Sequence, residues 1–277
     1  MDPLTNGRAE NGVQAASEGE ARLEIAGVSK TFGSGTDAVH ALRNVELTVD
    51  SGEFVTILGP SGCGKSTLLD CVAGYIAPTE GSVRVGGSRI ESPDPDRGVV
   101  FQENRLFPWK TVAENVGFGP RMSGKDDVDI EALLDRMGLA DFADSYPTEL
   151  SGGMAQRAEL ARLLANRPSI MVMDEPFSAL DAMTKERMQV ELLDAWRNTG
   201  ATALFVTHDV EEAIFLGDRV VVLSARPGEV KTTVDVPIER PRNYESRTTE
   251  TFTEIKRQLL ASIHGEANAE FVAERPA

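Results

Sequence analysis

The sequence predicts an α/β fold: a mostly parallel sheet, with an antiparallel β subdomain and an inserted α-helical subdomain. Three observations carry this. Short, largely apolar runs such as Phe54–Leu58, Ile170–Met173 and Thr202–Thr207 read as strands buried on both faces. Helical patterns separate them, as crossovers between parallel strands require. The opening segments instead alternate apolar and polar residues, like half-buried antiparallel strands.

The elements follow in order. Residues 1–20 are polar and read as a disordered tail. The main domain spans about 21–240. Arg22–Val28 and Val45–Val49 alternate as strands, and Phe32 falls in a Gly/Ser/Thr-rich loop between them. The turn Asp50–Glu53 leads into the apolar run Phe54–Leu58. Leu68–Ala73 reads as a helix that Gly74 can cap. Gly81–Gly87 reads as a strand and hairpin turn, so the opening part is strand-rich, with the glycine loop after Leu58 embedded in it. Val99–Phe101 is a short buried strand. The helical subdomain runs from about 103 to 165, and within it Ile130, Leu133, Leu134 and Met137 keep one apolar face. A helix at Thr184–Asn198 precedes the Thr202–Thr207 strand. Arg219–Leu223 and Glu229–Val234 form a closing hairpin. Residues 241–277 hold a terminal helix, with Phe252, Ile255, Leu259 and Ile263 in one stripe against the domain, and a frayed tail.

Composition narrows the function classes. The 277 residues carry a net charge of −16, which argues against a nucleic-acid partner, because a phosphate backbone calls for a basic face. Two cysteines, Cys63 and Cys71, give neither a disulfide framework nor a zinc site, pointing to a reducing compartment such as the cytosol. No apolar run approaches a membrane span, so any work at a membrane needs another chain to supply the span.

Three constellations carry chemistry. The first is Gly59-Pro60-Ser61-Gly62-Cys63-Gly64-Lys65-Ser66-Thr67, which fits the G-x-x-x-x-G-K-[ST] phosphate loop between a strand and a helix. Glycines let backbone N–H groups close around phosphate oxygens, and the helix N-terminus adds positive charge. Lys65 is placed for the β- and γ-phosphates of ATP, and the Ser66 hydroxyl for Mg²⁺. Cys63, near Lys65 and a helix start, is either an activated thiol or a buried inert one. The second is Asp174-Glu175 at the end of an apolar strand. Asp174 suits Mg²⁺, and Glu175 suits polarisation of an attacking water. The third is Ser151-Gly152-Gly153 opening a helix, a second anion site. One nucleotide does not need two such sites in one domain, so this one is expected to serve the nucleotide of a second copy. Taken singly, these features could also be a glycine-rich turn, two solvated acids and an ordinary helix start.

In sequence order these stretches resemble the ATP-binding cassette (ABC) ATPases, which are P-loop NTPases. The similarity covers about Arg22 to Val234: phosphate loop, Gln102, Ser-Gly-Gly signature, Asp174-Glu175, Ser178-Ala179-Leu180-Asp181, then His208. The resemblance implies a head-to-tail homodimer around two ATP molecules. It implies that Phe32 stacks on adenine and that Gln102 senses Mg²⁺ and the attacking water. Ser151 and Gly153, with Gly152 between them, would contact the γ-phosphate across the dimer. Asp181 would tie the two sites together, and His208 would hold the γ-phosphate, water and Glu175 in line. The signature departs at Met154, where the family often has Gln.

Gln102 opens a loop with Leu106, Phe107, Pro108 and Trp109. Apolar groups there read as an exposed docking surface, or as an anchor of the helical subdomain. This loop, with Leu150–Arg157, Phe205–Ala213 and Leu223–Gly228, resembles the nitrate/sulfonate/taurine group of importer ATPases. That resemblance implies a peripheral subunit on the cytoplasmic face of the plasma membrane, under permease subunits fed by a solute-binding protein. Taurine or another alkanesulfonate is the first expectation for the solute, then nitrate or a pyrimidine-type vitamin precursor. A soluble cassette ATPase acting on DNA or ribosomes, and the cassette of an exporter, use the same ATP residues.

Overall fold

The computed structural model describes residues 22–125 and 127–273, with side chains to 263. The expected tail at 1–20 and the chain's last four residues lie outside the described residues. The strands are β1 (Leu23–Phe32), β2 (Val39–Val49), β3 (Phe54–Leu58), β4 (Glu80–Val85), β5 (Ser88–Arg89), β6 (Arg97–Val100), β7 (Ile170–Asp174), β8 (Thr202–Val206), β9 (Arg219–Leu223) and β10 (Val230–Asp235). The helices are α1 (Lys65–Ala73), α2 (Val112–Val116), α3 (Phe118–Ser123), α4 (Ile130–Arg136), α5 (Gly152–Asn166), α6 (Ala182–Thr199), α7 (Val210–Leu216) and α8 (Glu250–Ala273).

Two sheets result. An antiparallel sheet has the order β2-β1-β4-β5. The other has the order β10-β9-β3-β8-β7-β6, parallel except for the edge pairing of β10 with β9. The phosphate loop follows β3, at the centre of the parallel sheet, rather than sitting within the antiparallel one as the sequence order suggested. Phe32 is likewise not in a loop: it ends β1, paired with Val39. The strand expected from Gly81 begins at Glu80 and stops at Val85, and β6 ends before Phe101.

Period-two alternation divides the core. On β3, Val55 and Ile57 join the cluster shared with Leu23, Val45 and Leu68, on the side of the antiparallel sheet and α1. Phe54 and Leu58 face the opposite cluster with Leu160 of α5, Leu192 of α6 and Phe215 of α7. The same division holds for Ile170 and Val172 against Met171 and Met173, and for Leu204 and Val206 against Ala203 and Phe205. Both faces being buried explains why these runs are largely apolar, the buried Thr56 hydroxyl donating to Ala213 O.

Between β6 and α5 the chain forms short helices and 3₁₀ turns rather than long helices. Phe252, Ile255 and Leu259 of α8 are buried in the second cluster, and Ile263 packs against it. Arg242 secures this end. Its Nη1 donates to the carbonyls of Ile214, Phe215 and Gly217 at the end of α7, at 2.9, 3.1 and 2.7 Å. Burial pushes its guanidinium down to about 10.

Candidate functional site

The parallel strands deliver the site residues to one edge, outside their carboxyl ends. The phosphate loop leaves β3. Asp174 ends β7, in register with Val206 of β8, so Glu175 and His208 emerge on neighbouring strands. Gly64 caps α1 at φ 104°, and a Cβ there would stand 2.6 Å from the Ala41 carbonyl, so only glycine fits the loop's return. The Lys65 ammonium donates to the carbonyls of Gly59 and Pro60, at 2.8 and 2.9 Å, across the inside of the loop. Cys63 is 1% exposed. Its thiol is shut beneath the loop, against the Gly59 backbone. That is the buried alternative, not an accessible thiol.

A cleft of about 300 Å³ opens on the loop. Ser61, Gly62, Gly64, Lys65, Ser66 and Thr67 form its floor, and Phe32, Val39 and Ala41 give it an apolar wall. Gln102, Glu175 and Arg226 complete the lining. Phe32 is 43% exposed, with the Lys30 ammonium 5.2 Å from its ring centre. It offers an open aromatic face at the end of β1.

Glu175 has φ 46°, uncommon for a residue with a long side chain. Its backbone is held on three sides. Its N–H donates to Val206 O (3.0 Å), and its carbonyl accepts from Ser178 N–H (3.1 Å) and from the Gln156 amide (3.3 Å). These bonds enforce the conformation. They aim the carboxylate at the cleft, where Oε2 lies 3.0 Å from His208 Nδ1. Next to it, Asp174 is hydrogen-bonded to Ser66. Burial raises the Asp174 carboxyl above its usual value; the Ser66 bond and Lys65 oppose this, and Glu175 and Asp70 add to it. Among the described residues no group of three or more His, Cys, Asp or Glu could hold a metal ion. A serine hydroxyl touching one carboxylate instead fits Mg²⁺, which takes few protein ligands and completes its shell with phosphate and water.

Ser151, Gly152, Gly153 and Asp181 lie elsewhere, none of them lining this cleft. Ser151 caps α5, its hydroxyl accepting from Met154 N–H at 3.3 Å. Met154 itself packs against the core. A Cβ on Gly153 would come within 3.1 Å of Leu180 Cδ2, so the signature is fitted closely to the Ser178–Asp181 segment. Asp181 caps α6, and the hydrogen bonds from Thr184 hold its carboxyl below the usual range.

Two contributors were not anticipated from the sequence. Gln156, buried in α5, clamps the signature helix to the segment after Glu175: its Oε1 accepts from Ala179 N–H (3.0 Å), and its Nε2 donates to Glu175 O and to Ser178 Oγ, each at 3.3 Å. Arg226 reaches the cleft from the turn between β9 and β10. The Gln and Arg stand in stretches already singled out, but only tertiary contacts give them these roles.

The loop after Gln102 is part surface and part core. Leu106 is 7% exposed and belongs to the core, contrary to its expected exposure. Trp109 is 70% exposed. Buried Asn115 holds the loop's shape, accepting from Phe107 N–H (2.7 Å) and donating to the carbonyls of Phe107, Lys110 and Thr111 (3.2, 3.1 and 2.9 Å). Beside the loop is a groove of about 550 Å³ lined by, among others, Tyr75, Phe101, Arg105, Phe107 and Arg162.

Comparison with known proteins identifies the family and the fold. The family described as ABC transporter matches residues 42–178. The taurine import ATP-binding protein TauB of Roseobacter denitrificans is 50% identical over 205 residues, 73% of this chain and 76% of that protein. The aliphatic sulfonates import ATP-binding protein SsuB of Bacillus cereus is 43% identical over 239 residues, 86% of this chain and 94% of that protein. Among solved structures, the dimeric post-hydrolysis state of the cassette MJ0796 bound to ADP and Pi superposes with a TM-score of 0.68 at 33% identity. It covers 80% of this chain and 100% of that one.

Proposed function

The chain belongs to the ABC transporter family, and on that footing we propose that it is the ATP-hydrolysing subunit of an importer for taurine or a related alkanesulfonate. The observation that carries the catalytic part is the Glu175–His208 pair, held on neighbouring strand ends at a cleft floored by the phosphate loop.

In this reading Phe32 stacks on adenine. The amides of Gly59–Thr67 and the Lys65 ammonium bind the β- and γ-phosphates. Ser66, Asp174 and Gln102 hold Mg²⁺, which would neutralise charge developing on the transferred phosphoryl group. Glu175 takes the proton of the attacking water, and His208 orients that carboxylate. Ser151, Gly152 and Gly153 close on the γ-phosphate of a second copy, and Asp181 links the two sites. What supports the division is that the signature lies outside the cleft of its own chain, and that the cassette of similar structure is a dimer.

The groove beside Phe107 and the exposed Trp109 give the docking face for an integral-membrane permease. Among the described residues no helix is long and apolar enough to cross a membrane. In this reading the chain sits peripherally, at the cytoplasmic face of the plasma membrane, and a separate solute-binding protein delivers the solute. The names of the taurine and sulfonate import relatives support this solute class.

The test is uptake of labelled taurine and a simple alkanesulfonate in cells lacking the chain. Uptake is expected to fall, and to return with the wild-type chain but not with Glu175→Gln. Unchanged sulfonate uptake together with lost nitrate uptake would transfer the solute to nitrate.

A further inference from the structure

Among the described residues, Lys65 and Arg226 are the two cationic side chains that line the phosphate-loop cleft. Arg226 is fixed there by its turn. Ser224 N–H donates to Glu229 O (2.9 Å), and Glu229 N–H donates to Ser224 Oγ (3.0 Å), closing the turn at its base. Gly228 N–H donates to Ala41 O (2.9 Å), and Arg43 N–H donates to Gly228 O (3.0 Å). Gly228 also presses on the phosphate loop, since a Cβ there would fall 2.2 Å from Cys63 O. The turn and the loop thus form one packed unit.

From this turn the Arg226 Nε donates to Gly62 O at 3.1 Å, and a terminal nitrogen lies 3.6 Å from where a Gly62 Cβ would stand. Among the described residues no carboxylate pairs with the guanidinium. Anchored through Nε, it keeps two –NH₂ groups, the fork that matches phosphate oxygens. Lys65 is held inside the loop by the Gly59 and Pro60 carbonyls, whereas Arg226 is anchored at Gly62, within the loop's glycine stretch, so the two cations enter the cleft from different points.

We infer that Arg226 is a second cationic ligand of the nucleotide, contacting the phosphates that ATP and ADP share. This rests on the reading of the cleft as an ATP site. It adds to that site a charge from outside the phosphate loop, carried by the turn after β9.

Equilibrium binding of ATP, ADP and adenosine tests it, in wild type, Arg226→Ala, Arg226→Gln and Arg226→Lys, with melting temperatures as a check on folding. The neutral variants are expected to weaken ATP and ADP about tenfold each, the size of one charge-assisted hydrogen bond. They should leave adenosine unchanged and flatten the salt dependence of ADP binding, while Arg226→Lys recovers part of the loss. ATP and ADP affinities within twofold of wild type would overturn the assignment. So would a loss confined to ATP, or an equal loss for adenosine. Lys65→Ala separates the premise: if it too leaves ATP binding intact, the cleft itself is misread, whereas loss in Lys65→Ala alone refutes only Arg226.

Discussion

The Nδ1 atom of His208 lies 3.0 Å from Oε2 of Glu175. An ionised carboxylate only accepts, so as a hydrogen bond to Glu175 in that form this contact calls for the tautomer that carries its proton on Nδ1. The pair spans two neighbouring strands, and its geometry follows from the register of β7 with β8. His208 is exposed while Glu175 is mostly covered, so the ring forms an outer wall to the carboxylate.

His208→Ala removes that wall without touching the phosphate loop. ATP turnover is expected to fall about 10²-fold, within the range for disturbing a general base, with ATP affinity of the isolated subunit little changed. His208→Gln keeps a donor and should recover part of the rate. Wild-type turnover in His208→Ala would remove the orienting role.

Asp174 gives a stability effect whose sign can be worked out. Burial, the largest cause, raises its carboxyl above the usual 3.8. A raised carboxyl opposes folding where it is ionised: the penalty is absent below 3.8 and complete above its raised folded value. Asp174→Asn removes the penalty and can keep the bond to Ser66. Without nucleotide, it should melt above wild type at pH 7. The gain should shrink as pH falls and vanish below 3.8, and Mg²⁺-dependent ATP binding should weaken. A lower melting temperature at pH 7 would contradict this.

Trp109 and Asn115 separate docking from folding in one loop. Trp109 touches Phe107 at 5.6 Å between ring centres but is otherwise open. Trp109→Ala should change the stability of the isolated subunit by less than about 0.5 kcal/mol. It should weaken permease association by about 2 kcal/mol, as loss of an interface anchor does. Asn115→Ala should cost about 1–3 kcal/mol of stability, because it strands the groups Asn115 satisfies. An unfolded Trp109→Ala would make Trp109 part of the fold.

The sequence revealed strands best where burial on both faces leaves a run with no polar residue, as at Ile170–Met173. It revealed the phosphate loop because the strand, glycines and helix are contiguous. It misplaced Phe32 because the glycines that follow look like a loop, whereas ladder pairing with Val39 carries β1 through the Phe. Leu106 looked exposed beside Pro108, yet the chain turns it inward to the core that also receives Val112 and Val116. Gln156 and Arg226 had no local signal. Their partners, Ala179 and Gly62, are 23 and 164 residues distant along the chain.

The most direct measurement combines turnover and sizing chromatography of Glu175→Gln in saturating MgATP. The substitution removes the carboxylate but keeps Lys65, Ser66 and the loop amides. Hydrolysis should drop roughly 10²–10⁴-fold. The unhydrolysed nucleotide should shift the protein from monomer to dimer, and adding Ser151→Arg should abolish the shift by blocking the contact across the interface. Wild-type turnover in Glu175→Gln would contradict the catalytic assignment, and a dimer that forms equally well with Ser151→Arg would contradict the shared site.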